Sequence, residues 1–168
     1  LHGFSDNHTG WAKEGVAGKL ADQHDVMFVI PDGGYDSWYF DSPMTPEYQY
    51  ETFVSKELIE YIDSHYKTIR DREARAVTGL SMGGHGALYL AFRHQDVFGS
   101  AGSTSGGVDI RPFPDNWNIK TRIGSIEEYP ENWEKNTVIN QTHLLKPGSL
   151  NLIIDCGTED FFFEVNCN

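Results

Sequence analysis

Short, fully apolar runs alternate along this chain with stretches whose apolar residues recur three to four apart. "VMFVI" (26–30) is apolar throughout and stops at "PDGG", the pattern of a strand covered on both faces. "EYQYETFVSKELIEYIDSHY" (47–66) spaces Tyr50, Val54, Leu58 and Ile62 four apart, with Phe53 and Tyr61 beside them, one apolar face of a helix. "ARAVTGL" (74–80) reads as the next strand and "GGHGALYLAFRH" (83–94) as the next helix. "VFGSAGSTSG" (97–106) is a weaker strand running into a loop, and "LNLIIDCG" (150–157) another buried strand. Residues 10–25 look helical, although Gly15 and Gly18 weaken a helix there.

Strand–helix alternation of this kind predicts an α/β layer structure, a mostly parallel sheet with helices on both faces. Residues 107–149 break the rhythm. They hold four of the seven prolines and two of the four tryptophans, and read as an insertion of the lid or substrate-binding type. At 168 residues the chain is one domain, 1–168, without repeats or linkers.

The formal net charge of −12 argues against nucleic acid and anionic membrane surfaces as partners. Oligomeric state stays open. Cys156 and Cys167 are the only cysteines and their spacing matches no metal motif, so neither metal nor cofactor is called for. The compartment also stays open, cytoplasmic or secreted and periplasmic. Leu1 begins the chain with no initiator Met and no leader, so a removed signal or a cut from a longer sequence is expected.

The candidate chemistry lies at the second strand–helix junction. Gly79-Leu80-Ser81-Met82-Gly83 fits Gly-x-Ser-x-Gly between an apolar strand and a helix. A serine on a sharp bend is lifted above the sheet edge, and its neighbours come so close to other backbone that positions 79 and 83 have no room for side chains. The Met82 N–H would face the same point, where negative charge develops on an attacked carbonyl. The alternative is an ordinary tight turn. "LHGFSDNHTGW" at the start supplies a second donor, the Phe4 N–H, with Gly3 letting the backbone turn. His2 is expected to make a structural hydrogen bond there.

A nucleophilic serine needs a base, and the base a carboxylate. "LNLIIDCGTEDFFFE" offers Asp155, Glu159, Asp160 and Glu164. Asp155 closes the strand and is expected to bond locally. Asp160, after the Gly-Thr turn and beside three phenylalanines, is the candidate acid. No histidine follows it. The seven lie at 2, 8, 24, 65, 85, 94 and 143, so the base is expected beyond residue 168 and the opening strands before residue 1.

Taken together, "LHGFSDNHTGW", "IPDGGYDSWYFDSP", "YETFVSKELIEYIDSHY", "GLSMGGHGALYLA" and "DCGTEDFF" resemble the esterase family of α/β-hydrolases, which includes tributyrin and acetyl esterases, feruloyl esterases, S-formylglutathione hydrolase and the antigen 85 mycolyltransferases. The resemblance implies an α/β-hydrolase fold, incomplete at both ends, with a Ser–Asp–His triad that acts on carboxylic esters. It maps the nucleophile to Ser81, the acid to Asp160 and the oxyanion donors to the Met82 and Phe4 amides. It makes Trp38 and Tyr39 the expected substrate contacts, with core packing as the alternative. It also implies that a strand preceding "LHG" lies between the 26–30 and 74–80 strands, so these residues alone would leave a gap in the sheet. The missing histidine keeps a second possibility open, a binding module that has lost its triad.

Overall fold

The computed structural model describes residues 1–167, Glu14 by its backbone alone. Three parallel strands form its sheet in the order β1 (Ala76–Leu80), β2 (Ser100–Thr104), β3 (Asn151–Asp155). The register is flush: Leu80 pairs with Thr104, and Thr104 with Asp155, so all three strands end at one edge. Around them in chain order stand α1 (Val16–His24), α2 (Tyr50–Thr52), α3 (Leu58–His65), α4 (Met82–Arg93), α5 (Ile119–Ile123), α6 (Pro130–Asn136) and α7 (Phe163–Cys167).

The predicted helix over 47–66 exists, with wider, π-type turns at Phe53–Glu57 joining α2 to α3. The helix expected over 10–25 is shortened at its start. Gly15 takes φ 66°, a left-handed conformation that costs glycine little, and α1 begins immediately after it.

α4 is the core. Every residue from Met82 to Phe92 is buried, and the helix covers the sheet face that carries Val77, Ala101 and Ser103. Burying side chains such as Leu88 and Leu90 stabilises the fold by about 1.5–3 kcal/mol each. Its glycines set how closely it docks: a side chain at Gly84 would meet Ser103 Oγ and the Gly106 backbone, and one at Gly86 the Tyr39 ring. Among the described residues the cover is one-sided. The opposite face keeps Ile153 74% exposed.

The strand expected at 26–30 does not form. Val26, Met27, Phe28 and Val29 are exposed, and the one backbone bond among them that is found in the described residues, from the Val26 N–H to Ala21 O at 3.1 Å, closes the preceding helix and is not a strand pairing. A strand requires a hydrogen-bonded neighbour as well as an apolar run. Between this segment and Arg75, next to β1, lies an open groove of about 490 Å³, walled by Leu58, Ile59 and Ile62 of α3.

Residues 107–149 are not a loose flap. Ile110, Ile119, Ile123, Trp133 and Val138 are buried in the common core. Polar ties fix the segment to residues 36–45: Arg122 pairs with Asp36 at 3.1 Å, Ser42 Oγ donates to Arg122 O, and Trp38 Nε1 donates to Trp117 O.

Candidate active site

At the β1–α4 junction Ser81 adopts φ 55°, ψ −117°. A non-glycine residue there carries about 1–3 kcal/mol of strain and persists only where its surroundings over-determine it. The determinants are visible. The Ser81 N–H donates to Thr104 O at 2.9 Å, tying the bend to β2, and the His85 N–H donates to Ser81 O at 3.0 Å, starting the helix. A Cβ on Gly79 would overlap the Gly83 carbonyl, and one on Gly83 the carbonyls of Leu1 and His2. Both glycines of the motif are therefore required by close backbone approach. Ser81 is partly exposed, and its hydroxyl makes no hydrogen bond among the described residues.

The opening loop lies against this bend. The Leu1 nitrogen donates to Thr78 O and Leu80 N donates to Leu1 O, laying the chain start along β1. A Cβ on Gly3 would sit 3.5 Å from Ser81 Cβ. His2, wholly buried, holds the loop: the Gly33 N–H donates to Nε2 at 2.7 Å, so Nδ1 carries the proton and donates to Gly3 O at 2.9 Å. This is the structural bond expected of His2. Tyr39 adds a third tie, its hydroxyl donating to His2 O at 3.0 Å; burial pushes that phenol far above its ordinary pKa and keeps it a donor. Neither Phe4 N–H nor Met82 N–H has an acceptor among the described residues. The Phe4 ring packs edge-on against Tyr35 at 5.0 Å.

Asp160 follows β3 by one short turn. Because β1, β2 and β3 end flush, Ser81 and Asp160 stand beyond the same sheet edge, on strand tips about 10 Å apart. Asp160 Oδ1 accepts from the Phe162 N–H at 2.8 Å, and Oδ2 has no partner among the described residues. Asp155, expected to bond locally, instead bonds across the sheet, its Oδ2 accepting from Thr104 Oγ1 of β2 at 3.2 Å. Glu159 and Glu164 are exposed.

Trp38 and Tyr39 are elsewhere. At 1% and 0% exposure they are core residues, and neither ring offers a surface to a substrate. Their backbones, at φ 53° and 60°, turn the rings inward: Trp38 meets His85 edge-on at 5.4 Å, and Tyr39 fills the space beside Gly33 and Gly86. The substrate contacts expected at these positions give way to packing.

No imidazole hydrogen-bonds the Ser81 or Asp160 side chain among the described residues. His85, closest to Ser81 in sequence, is enclosed by Trp38, Phe40 and Tyr89, and burial lowers its pKa to about 3. Among the described residues no group of three or more His, Cys, Asp or Glu is arranged to hold a metal ion, and no helix is long and apolar enough to cross a membrane. Cys156 and Cys167 are free thiols. Sequence reasoning missed Gly33 as the partner of His2; its signal was the Pro-Asp-Gly-Gly turn, read only as a strand stop.

A family model described as "Putative esterase" matches residues 1–168. An esterase of Mycobacterium tuberculosis strain H37Rv is 38% identical over 88 residues, 51% of this chain and 19% of that protein. The diacylglycerol acyltransferase/mycolyltransferase Ag85B of Mycobacterium leprae is 31% identical over 169 residues, 90% of this chain and 51% of its own length. Among solved structures, a ferulic acid esterase superposes with a TM-score of 0.74 at 27% identity, covering 99% of this chain and 67% of that one. The chain thus spans about a fifth to a half of these curated relatives and two thirds of the solved structure.

Proposed function

The chain belongs to the esterase family, and on that premise we propose that it carries the nucleophile, the orienting carboxylate and the oxyanion amides of a serine hydrolase acting on carboxylic esters. Ser81 Oγ attacks the ester carbonyl as an imidazole takes its proton. The Met82 and Phe4 amides hold the negative oxygen of the tetrahedral intermediate. The alcohol leaves with the proton from the imidazolium, and water repeats the sequence to release the acid. Asp160 orients the imidazole. None of the described histidines is placed for that role, so the base is a residue these contacts do not include. The substrates are small-molecule or carbohydrate-linked esters with short acyl, acetyl or feruloyl groups, S-formylglutathione being a further candidate. A charge of −12 favours neither nucleic acid nor an anionic membrane as partner.

The observation that carries this reading is the strained Ser81 backbone, held by two glycines without room for side chains and abutted by the Gly3 loop. The test is p-nitrophenyl acetate turnover by the full-length protein and its Ser81→Ala variant, with fluorophosphonate labelling of both. We expect the variant to lose about 10⁴- to 10⁶-fold in kcat and to take no label. Equal rates, or equal labelling, overturn the reading; a full-length protein that neither turns over the ester nor takes the label favours the binding-module alternative.

Acyl transfer is the second reading. It is favoured by the 31% identity to a mycobacterial acyltransferase across 90% of the chain. A sugar hydroxyl would replace water in the second half of the reaction. Product analysis with and without an added sugar acceptor separates transfer from hydrolysis.

A further inference from the structure

Gly3 joins two peptide planes, and the fold holds each of them by its carbonyl. The His2 ring donates to Gly3 O at 2.9 Å, and the Tyr39 hydroxyl donates to His2 O at 3.0 Å. Sterics constrain the dihedral angles of glycine least, so these two bonds fix the angle between the planes. The Phe4 N–H lies in the second plane and is aimed by both.

The Tyr39 bond also joins this loop to the helix behind Ser81. A Cβ on Gly83 would meet His2 O, and one on Gly86 would meet the Tyr39 ring, so carbonyl and ring both lie on the first turns of α4. Gly33, whose N–H donates to His2 Nε2 at 2.7 Å, has no room for a side chain beside the same ring. Tyr39 reaches this point through strained backbone. Trp38 and Tyr39 are consecutive left-handed residues, φ 53° and 60°, and the Tyr39 N–H donates to Ser37 Oγ at 3.0 Å. Strain of this kind persists only where the surroundings over-determine it, and it gathers at functional sites. A phenylalanine would fill the same space. What the hydroxyl adds is a grip on the loop, and burial, which pushes its pKa far up, keeps it a donor.

We propose that Tyr39 is a positioning residue for ester cleavage: it holds the His2 carbonyl against α4 and so sets the separation of the Phe4 and Met82 amides. The proposal rests on the esterase reading above. One amide belongs to the opening loop and the other to the start of α4, yet both must reach a single oxygen at about 2.7–3.1 Å. Tyr39 touches loop and helix together. Wholly buried, it touches no substrate.

The experiment uses the full-length protein, its Tyr39→Phe variant and a Tyr39→4-aminophenylalanine variant, which restores a weaker donor on the same ring. Turnover of p-nitrophenyl acetate is measured beside inhibition by an alkyl trifluoromethyl ketone. The ketone carbon bonds to Ser81 Oγ, the serine proton passes to the base, and the carbonyl π pair moves to the oxygen beneath the two amides. In Tyr39→Phe we expect kcat to fall about 5- to 50-fold with KM within about twofold, and the ketone's inhibition constant to rise by the factor by which kcat falls. The 4-aminophenylalanine variant recovers part of both. Loss of structure alone would lower the fraction of molecules that a fluorophosphonate labels and leave the inhibition constant at its wild-type value. That result overturns the proposal, as does an unchanged kcat. If Tyr39→Phe does not fold, the 4-aminophenylalanine variant decides: a parallel change of about 2- to 5-fold in kcat and inhibition constant supports the positioning role, and no change overturns it. A wild type that neither cleaves the ester nor binds the ketone ends the esterase reading and this proposal with it. An active wild type with an unaffected Tyr39→Phe variant ends this proposal alone.

Discussion

A trans peptide holds its carbonyl and its amide hydrogen in one plane and points them in opposite directions, so whatever grips the first aims the second. His2 grips the Gly3 carbonyl, and the N–H of that same peptide belongs to Phe4, the proposed oxyanion donor. On the proposed reading the imidazole acts on the reaction without touching a substrate. His2→Ala is expected to lower kcat about 10- to 100-fold with little change in KM, somewhat less than the 10²- to 10³-fold cost of deleting a donor outright. His2→Asn retains a donor for Gly3 O and recovers part of the loss. Steady-state kinetics on both variants checks this, and a kcat for His2→Ala equal to wild type would exclude the role. At this scale the Ser81 bend was legible in the sequence, because close backbone approach demands glycine at 79 and 83 and strand and helix flank them. The burial of Trp38 and Tyr39 was not. An aromatic dipeptide after a glycine turn reads the same whether its rings face in or out, and their positive φ, which decides the matter, leaves no mark on composition.

Helices are tied to one another by a buried carboxylate. Glu51 of α2, 7% exposed, accepts from Arg93 at the end of α4, from His94 beyond it and from the Tyr89 hydroxyl, at 2.7, 2.8 and 2.6 Å. Burial alone would raise its pKa, but the hydrogen bonds from His94, Arg93 and Tyr89 outweigh burial and hold it at about 2. Depressed from an ordinary value of 4.5, the carboxylate contributes stability that is fully present above pH 4.5 and is lost as pH falls toward 2. Glu51→Gln is expected to cost about 1–3 kcal/mol near pH 7, and the difference from wild type to shrink below pH 4.5. Urea unfolding at several pH values measures it; a pH-independent difference would mean that shape and not charge matters at this position. The helices over 50–65 and 82–93 were readable from periodicity, since an apolar stripe has one use. The run at 26–30 was misread because apolar character does not supply a pairing partner. Residues 107–149 were read as an insertion of the lid or substrate-binding type because they break the strand–helix rhythm; that Ile119, Ile123 and Trp133 enter the core is decided by three-dimensional packing.

For the molecule as a whole, the sheet edge is what brings distant parts of the sequence together. The strand grammar predicted a parallel α/β structure, and a parallel sheet with helices is what forms. The flush register was not readable, because it depends on backbone ladders between strands and not on any one strand's residues. That register has a consequence for how much the chain between the tips can vary. The spacing of Ser81 and Asp160 is set sideways, across β2, and not by the number of residues joining them. Extra sequence spliced in at Gly148, exposed at φ 76° with open space around its α-carbon, should leave that spacing and the ester-cleaving rate intact; a small helical module grafted there is a direct trial, with rate and melting temperature as the readouts. A scaffold measured crosswise in this way can exchange its connectors for longer ones while the strand tips, and the side chains they carry, stay where they are.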